Sequence, residues 1–249
     1  MALYQARKQF PSAKLYLWCH DMFGGPGWDA GFKVIIDTQA VPIVVSDWHK
    51  QNMYDTMSGV SFSGFIPCRR IYNPIEDSLK PDETPVDSNK LVFFSSPHKG
   101  LIRTLEVFER FRDFEELCDI KLYVANPGYF PDADLAGIRN VVSLGALPHH
   151  EIIQHVRSAF AVFHLNHIFP ETMGIVHAEA NAVGTPFLNG RIGAVAETAD
   201  HPGELVDVTD NRAAIDRILS WRKGRPKVRG NPNFKLSKIV KEWENLLAL

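Results

Sequence analysis

From residue 91 onward, short apolar runs alternate with segments in which apolar positions recur every three or four residues. The runs Leu91–Ser96, Lys121–Asn126, Val141–Gly145, Ala159–Leu165 and Pro186–Asn189 carry Val, Phe, Leu and Tyr. Turn residues bound several of them, so they read as buried strands. Between them Leu101, Leu105, Phe108 and Phe111 fall at helical spacing, as do Ile152, Val156 and Phe160. Strands alternating with helices imply βαβ units and a parallel sheet covered on both faces, a Rossmann-like domain.

The first 72 residues have the same texture but less of it. Residues 2–10 read as a helix, and Lys14–Cys19 and Val41–Val45 as buried strands, about half of a doubly wound sheet. Residues 73–90, rich in Pro, Asp, Ser and Lys, read as a linker or long exposed loop. At the other end, Ile239, Trp243 and Leu246–Leu247 mark an amphipathic helix that needs a partner surface. The expected domains are 1–75, a partial N-terminal Rossmann-like domain; 76–233, the main α/β domain; and 234–249, a terminal helix.

Composition narrows the class. The chain has 249 residues, 45% apolar and 22% charged, which suits an ordinary soluble protein. Its 27 Lys and Arg nearly balance 29 Asp and Glu, which argues against a nucleic-acid binder. No apolar run reaches the ~20 residues of a membrane span. The start, MALYQARKQF, lacks the apolar core of an export signal. Cys19, Cys68 and Cys118 are odd in number and widely spaced, so the expectation is reduced thiols in a cytoplasmic protein.

Ligands of open α/β sheets bind beyond the carboxyl ends of strands, so the residues after each strand carry the candidate chemistry. After Ala159–Leu165 comes Glu171-Thr-Met-Gly-Ile-Val-His-Ala-Glu179, with a helix expected to begin near Met173 or Gly174. Eight helical positions would span about 12 Å, comparable to the distance from ribose to hexose in a nucleotide sugar. First-turn N–H groups would face any diphosphate between the two ends. A helix-capping Glu and an exposed Glu would give the same spacing.

In order along the chain, further stretches join this one. Glu171-Thr-Met-Gly-Ile-Val leading to Glu179-Ala-Asn-Ala and Gly184-Thr-Pro resembles the E-x7-E signature of the GT-B retaining glycosyltransferases, specifically glycosyltransferase family 4. Ile71-Tyr-Asn-Pro-Ile-Glu76 resembles the turn that opens that family's C-terminal domain, and Pro97-His-Lys-Gly100 its Lys-Gly after the first strand. Ser143-Leu-Gly-Ala-Leu-Pro148 resembles the loop beside the base, and Gly193 with Glu197 a later Gly-x3-Glu; the likeness runs from residue 14 to about 245.

The resemblance implies a GT-B-like α/β fold with a Rossmann-like C-terminal domain, a partial N-terminal domain on the acceptor side, a terminal helix over 234–249 packing back toward the N-terminal part, and transfer of a hexose from a nucleoside-diphosphate sugar to an acceptor hydroxyl with retention. It places the protein in polysaccharide or glycoconjugate synthesis, with a carbohydrate or lipid-linked acceptor and no cofactor or metal. Lys99 would neutralise the leaving phosphates, and Glu171 would hold hexose hydroxyls beside Thr172, Met173, Gly174 and Ile175. Glu179 would bind the ribose, and the backbone of Ala146 and Leu147 would read the base. His20, after the first strand, would face the hexose. The family's Arg five residues before the Lys is Phe94 here, so Ser95 and Ser96 are expected to share the phosphate role.

Other motifs read more plainly. Asp132-Ala-Asp134, in a Pro-rich loop, and the Gly24–Trp28 loop are read as loops, the latter bordering an acceptor cleft. His149-His150 is read as surface. Arg222, Lys223, Arg225, Lys227 and Arg229 are read as a solvated run, with contact to an anionic membrane surface as the alternative. The rival to an enzyme is a non-catalytic or truncated sugar-nucleotide-binding module needing a partner chain. A dinucleotide-dependent oxidoreductase is disfavoured because no G-x-G-x-x-G follows the early strands.

Overall fold

The structure, a computed structural model, describes residues 2–25, 27–129 and 133–247. Asp132 of the Asp-x-Asp pair and Pro26 of the glycine-rich loop lie outside them. The chain forms two compact units: Met1–Asn73 with Ile239–Leu249, and Pro74–Lys238.

The first unit contains α1 (Ala2–Gln9), β1 (Leu15–Trp18), α2 (Trp28–Thr38), β2 (Ala40–Val44), α3 (Asp47–Gly59) and the two-residue β3 (Arg69–Arg70). The three strands are parallel in the order β1-β2-β3. Phe32, Ile35, Met53 and Met57, at helical spacing on α2 and α3, bury against Val44 and Phe23 on one side of this sheet. Ser46 caps α3, its hydroxyl accepting from the His49 N–H at 2.9 Å. Ile43, Ile71 and Ile239 form a second cluster, joined by Tyr16, Trp243 and Leu246, so the terminal residues belong to this unit.

The second unit contains β4 (Asp87–Phe94), α4 (Leu101–Glu109), β5 (Lys121–Asn126), β6 (Val141–Ala146), α5 (His149–Arg157), β7 (Ala159–Phe163), α6 (Ile175–Ala182), β8 (Phe187–Gly190), α7 (Val195–Thr198), β9 (Leu205–Val206) and α8 (Asn211–Lys223). α9 (Leu236–Leu247) follows. All pairings in the six-stranded sheet are parallel, in the order β6-β5-β4-β7-β8-β9. Leu91, Phe93, Phe163 and Leu188 from the strands pack with Phe108 and Phe111 on one side and share that core with Ile218 and Trp221 of α8. The chain winds outward from β4 through β5 to β6, returns to β7 beside β4, then winds the other way. The crevice between the carboxyl ends of β4 and β7 is therefore the topological switch point.

Several expectations change. Phe160 lies in β7, not on a helix: α5 ends at Arg157 and the chain turns at Ser158. The 73–90 segment is the exposed loop of the two readings over residues 76–78, 80–83 and 85–88, but it is anchored rather than free. Ile75 and Leu79 are buried, Ile75 bridges Lys235, and Asp87–Lys90 already belongs to β4. The basic run is not uniformly solvated. Arg225 donates to the carbonyls of Phe160 and Ala159, and Arg222 to that of Ser88, so both tie the amino ends of β7 and β4.

Candidate donor site

Helices α4 and α6 follow the two central strands, and each starts from a glycine in the left-handed region, Gly100 at φ 96° and Gly174 at φ 81°. At Gly100 the requirement is also spatial. A Cβ there would lie 2.6 Å from the Leu165 carbonyl oxygen, so only glycine lets α4 begin against the end of β7. Neither glycine offers a capping side chain, and both helices begin at the carboxyl edge of the sheet, where the Leu101 N–H turns back to the Pro97 carbonyl and the His177 N–H to that of Gly174.

Lys99 and Glu171 meet at this edge. Lys99 Nζ lies 3.0 Å from Glu171 Oε2, with the carboxylate 9% exposed and the ammonium 33%. Glu171 is fixed through its backbone: it bridges Gly193, and its carbonyl accepts the Ala194 N–H at 2.7 Å. Gly193 sits at φ 62°, and a Cβ there would lie 2.4 Å from both the N and the O of Glu171. The later glycine of the sequence motif is therefore the seat on which Glu171 rests.

Lys99 is anchored from beneath. Its carbonyl accepts from His164 Nε2 at 2.6 Å, which leaves His164 Nδ1 to accept from His177 Nε2 at 3.0 Å. Asn189 Nδ2 approaches the same His177 nitrogen at 3.0 Å, an approach that this tautomer does not make a hydrogen bond. His177 Nδ1 has no partner and sits under Gly174. Burial pushes the pKa of both imidazoles below the ordinary His value, so both rings are neutral at pH 7. These residues gave no sequence signal; lone histidines at the end of a strand and inside a helix carry none.

Glu179, in the second turn of α6, faces a cleft of about 310 Å³ at the carboxyl ends of β4, β5 and β6. Phe94, Ala125, Asn126, Leu147, Ile152 and Val176 line its walls. Glu179 Oε1 lies 2.9 Å from His149 Nε2, and His149 Nδ1 lies 3.8 Å from Glu76. His149, expected as surface, is thus half-exposed but engaged on a candidate site carboxylate. The hydrogen bond to Glu179 raises its pKa, with Glu76 adding to the effect against partial burial.

The remaining candidates fall as follows. Ser95 and Ser96 are buried just after β4, with Ser96 Oγ 2.9 Å from the Tyr129 hydroxyl. Ala146 is exposed at the end of β6. Met173 is buried, Thr172 half-buried, and Ile175 exposed at the start of α6. His20 belongs to the first unit, exposed beyond β1 with its ring 4.5 Å from that of Trp18. The loop after it is held by α3: His49 Nε2 lies 2.9 Å from the Asp21 carbonyl, and Asn52 accepts the Phe23 N–H. Among the described residues no group of three His, Cys, Asp or Glu could hold a metal ion, and no helix is long and apolar enough to cross a membrane. The three cysteines are free.

The fold is that of the GT-B glycosyltransferases, with two glycine-started helices and a Lys–Glu pair at the switch point of its parallel sheet. The family model described as "Glycosyl transferases group 1" matches residues 80–230, and the chain belongs to that family. No curated protein matches by sequence. Among solved structures, the GtfA/B complex is similar at TM-score 0.73 and 16% identity, over 99% of this chain and 54% of that one. The pneumococcal O-GlcNAc transferase GtfA in complex with UDP and GlcNAc is similar at TM-score 0.71 and 13% identity, over 98% of this chain and 54% of that one. A UDP-forming α,α-trehalose-phosphate synthase from Burkholderia vietnamiensis is similar at TM-score 0.69 and 11% identity, over 99% and 70%. The chain thus spans about half the length of the first two structures.

Proposed function

We propose that this chain is a glycosyltransferase of the family 4 type that moves a hexose from a nucleoside-diphosphate sugar to an acceptor hydroxyl with retention, as part of polysaccharide or glycoconjugate synthesis. One observation carries the reading: the Lys99–Glu171 pair stands at the switch point just ahead of α6, and α6 carries Glu179, which faces a cleft of about 310 Å³. Glu179 takes the ribose diol, and the Leu147 backbone with Ala146 borders the base. Lys99, with the first-turn N–H groups of α4 and α6, takes the negative charge that grows on the diphosphate as the glycosidic bond breaks. Ser95 and Ser96 add hydroxyl donors where Phe94 replaces an Arg. Glu171 holds hexose hydroxyls, beside the backbone of Thr172, Met173, Gly174 and Ile175. His20 is assigned to the hexose on the resemblance alone, and the acceptor is a carbohydrate or lipid-linked hydroxyl.

Calorimetric titration of the chain with UDP, GDP and ADP tests this directly. One diphosphate binds, and Glu179→Ala weakens it roughly ten- to hundred-fold, the loss of one partner of a charged hydrogen bond. Binding of none of the three removes the donor site. A second reading, a donor-binding module that transfers only with a partner chain, is favoured by the half-length match to a two-component complex. It is distinguished by diphosphate binding without release of diphosphate from the matching nucleotide sugar.

A further inference from the structure

Among the described residues, His149 is a titratable side chain in contact with a candidate donor-site carboxylate that the reading above leaves without a role. It stands at the first position of α5, lines the 310 Å³ cleft beside Leu147 and Ile152, and reaches Glu179 at 2.9 Å and Glu76 at 3.8 Å. Two carboxylates face one imidazole. The other charged groups nearby are committed elsewhere or outside: Glu151 and His150 pair along α5 itself, and Lys90 of β4 engages His155 and Ser158 at the far end of the helix. Lys235 directs its ammonium to the carbonyls of Glu76 and Leu79.

The charge balance decides what the imidazole is for. Lys99 and Glu171 cancel. With His149 neutral, Glu76 and Glu179 leave the cleft side of the site at two negative charges; with His149 protonated they leave one. A nucleotide sugar carries two negative charges on its diphosphate, so the neutral state of His149 repels the ligand the site is read to bind. Geometry adds a second effect. An N–H held on Oε1 of Glu179 fixes the carboxylate plane and leaves Oε2 to accept from the ribose diol.

We propose that His149 is a positioning residue of the donor site: its imidazolium, held between Glu76 and Glu179, orients the Glu179 carboxylate for the ribose and offsets the charge that opposes the donor's phosphates. Donor affinity is then highest where His149 is protonated and declines as pH rises through its elevated pKa. The inference rests on the donor-site reading of Glu179.

The test is calorimetric titration with UDP-glucose, GDP-mannose and ADP-glucose between pH 6 and 8.5. In these probes both phosphates are esterified and do not titrate near neutrality, unlike a terminal phosphate. The wild-type chain binds one probe about three- to ten-fold more weakly at the upper pH, a partly exposed charged hydrogen bond being worth less than a buried one. His149→Gln keeps an N–H donor without the charge, so its affinity is intermediate and flat with pH. His149→Lys carries a fixed charge and binds at pH 8.5 at least as tightly as the wild-type chain. Thermal melts establish that each variant folds. NMR titration of the His149 ring gives an independent reading, its pKa falling toward the ordinary His value in Glu179→Gln. A wild-type profile flat with pH, or a His149→Gln profile that keeps the wild-type slope, overturns the inference while leaving the donor site standing. Absence of binding to all three probes at every pH removes the donor site and this inference with it.

Discussion

Replacing Gly193 with alanine probes the seat of Glu171. The residue lies at φ 62°, and its added Cβ would meet the N and O of Glu171 at 2.4 Å. The left-handed conformation alone costs an alanine about 1–2 kcal/mol. The overlap is with backbone on a bridged segment, which cannot rotate aside, and overpacking of this kind adds about 1–3 kcal/mol. The sum, about 3 kcal/mol, corresponds to a melting temperature lower by roughly 6–12 °C for a chain of this size. Gly137→Ala is the matched control: it has φ 78° and nothing within 4 Å of the added Cβ, so only the conformational cost applies. Differential scanning calorimetry of the two variants separates the terms. If Gly193→Ala melts no lower than Gly137→Ala, Glu171 does not rest on Gly193 and the packing argument is wrong.

Further outcomes are expected elsewhere in the same unit. Glu204 is buried, and its carboxylate accepts from the N–H groups of Phe187, Asp200 and His201 and from Asn181. Desolvation nevertheless pushes its pKa up to about 7. Folding therefore takes up a proton between the ordinary carboxylate pKa and that value, so this group's contribution to stability is full at low pH and lost as pH rises through about 7, with no further change above. Urea unfolding across pH reads this slope, and Glu204→Gln removes it while costing about 1–3 kcal/mol for the N–H donors left facing an amide NH2. His164→Phe leaves the Lys99 carbonyl unpartnered and lowers stability by a similar amount, about 1–3 kcal/mol. Hydrogen exchange checks that the loss is centred on residues 99–104.

Much of the fold was legible because the central strands are buried on both faces. Lys121–Asn126 appears as β5 with the same bounds, since a parallel strand inside the sheet is an almost unbroken apolar run. Phe160 misled because it lies four residues after Val156, completing a helical stripe across the point where α5 ends. The polar start of β4 was invisible. Lys90 is buried there because His155 and Ser158 take its ammonium and the Tyr123 ring lies beneath it, contacts made by residues far along the chain. β3 and β9 have two residues each, too few for any periodicity.

The candidate site divides in the same way. Lys99, Glu171 and Glu179 sit in local motifs that a sequence displays. His149 reaches Glu179 from 30 residues away, and His164 and His177 meet beneath Lys99 only because β7 and α6 fold together. Such contacts are products of topology. The glycines mark them indirectly: at Gly100 and Gly193 a side chain would strike the backbone of a neighbouring segment, and at Gly174 the buried His177 ring.

The central claim is that Glu171, on the segment leading into α6, meets the hexose and Glu179, on α6, meets the ribose. The direct measurement is a pair of titrations on each of two variants, one with the nucleoside diphosphate that binds the wild-type chain and one with its sugar. Ribose is common to both ligands, so Glu179→Ala weakens both, by roughly ten- to hundred-fold. The hexose is present in only one, so Glu171→Ala leaves diphosphate binding near the wild-type value and weakens the nucleotide sugar alone. Equal losses for both ligands in Glu171→Ala would place that carboxylate at the phosphates rather than the hexose, and no loss in either variant would contradict the account.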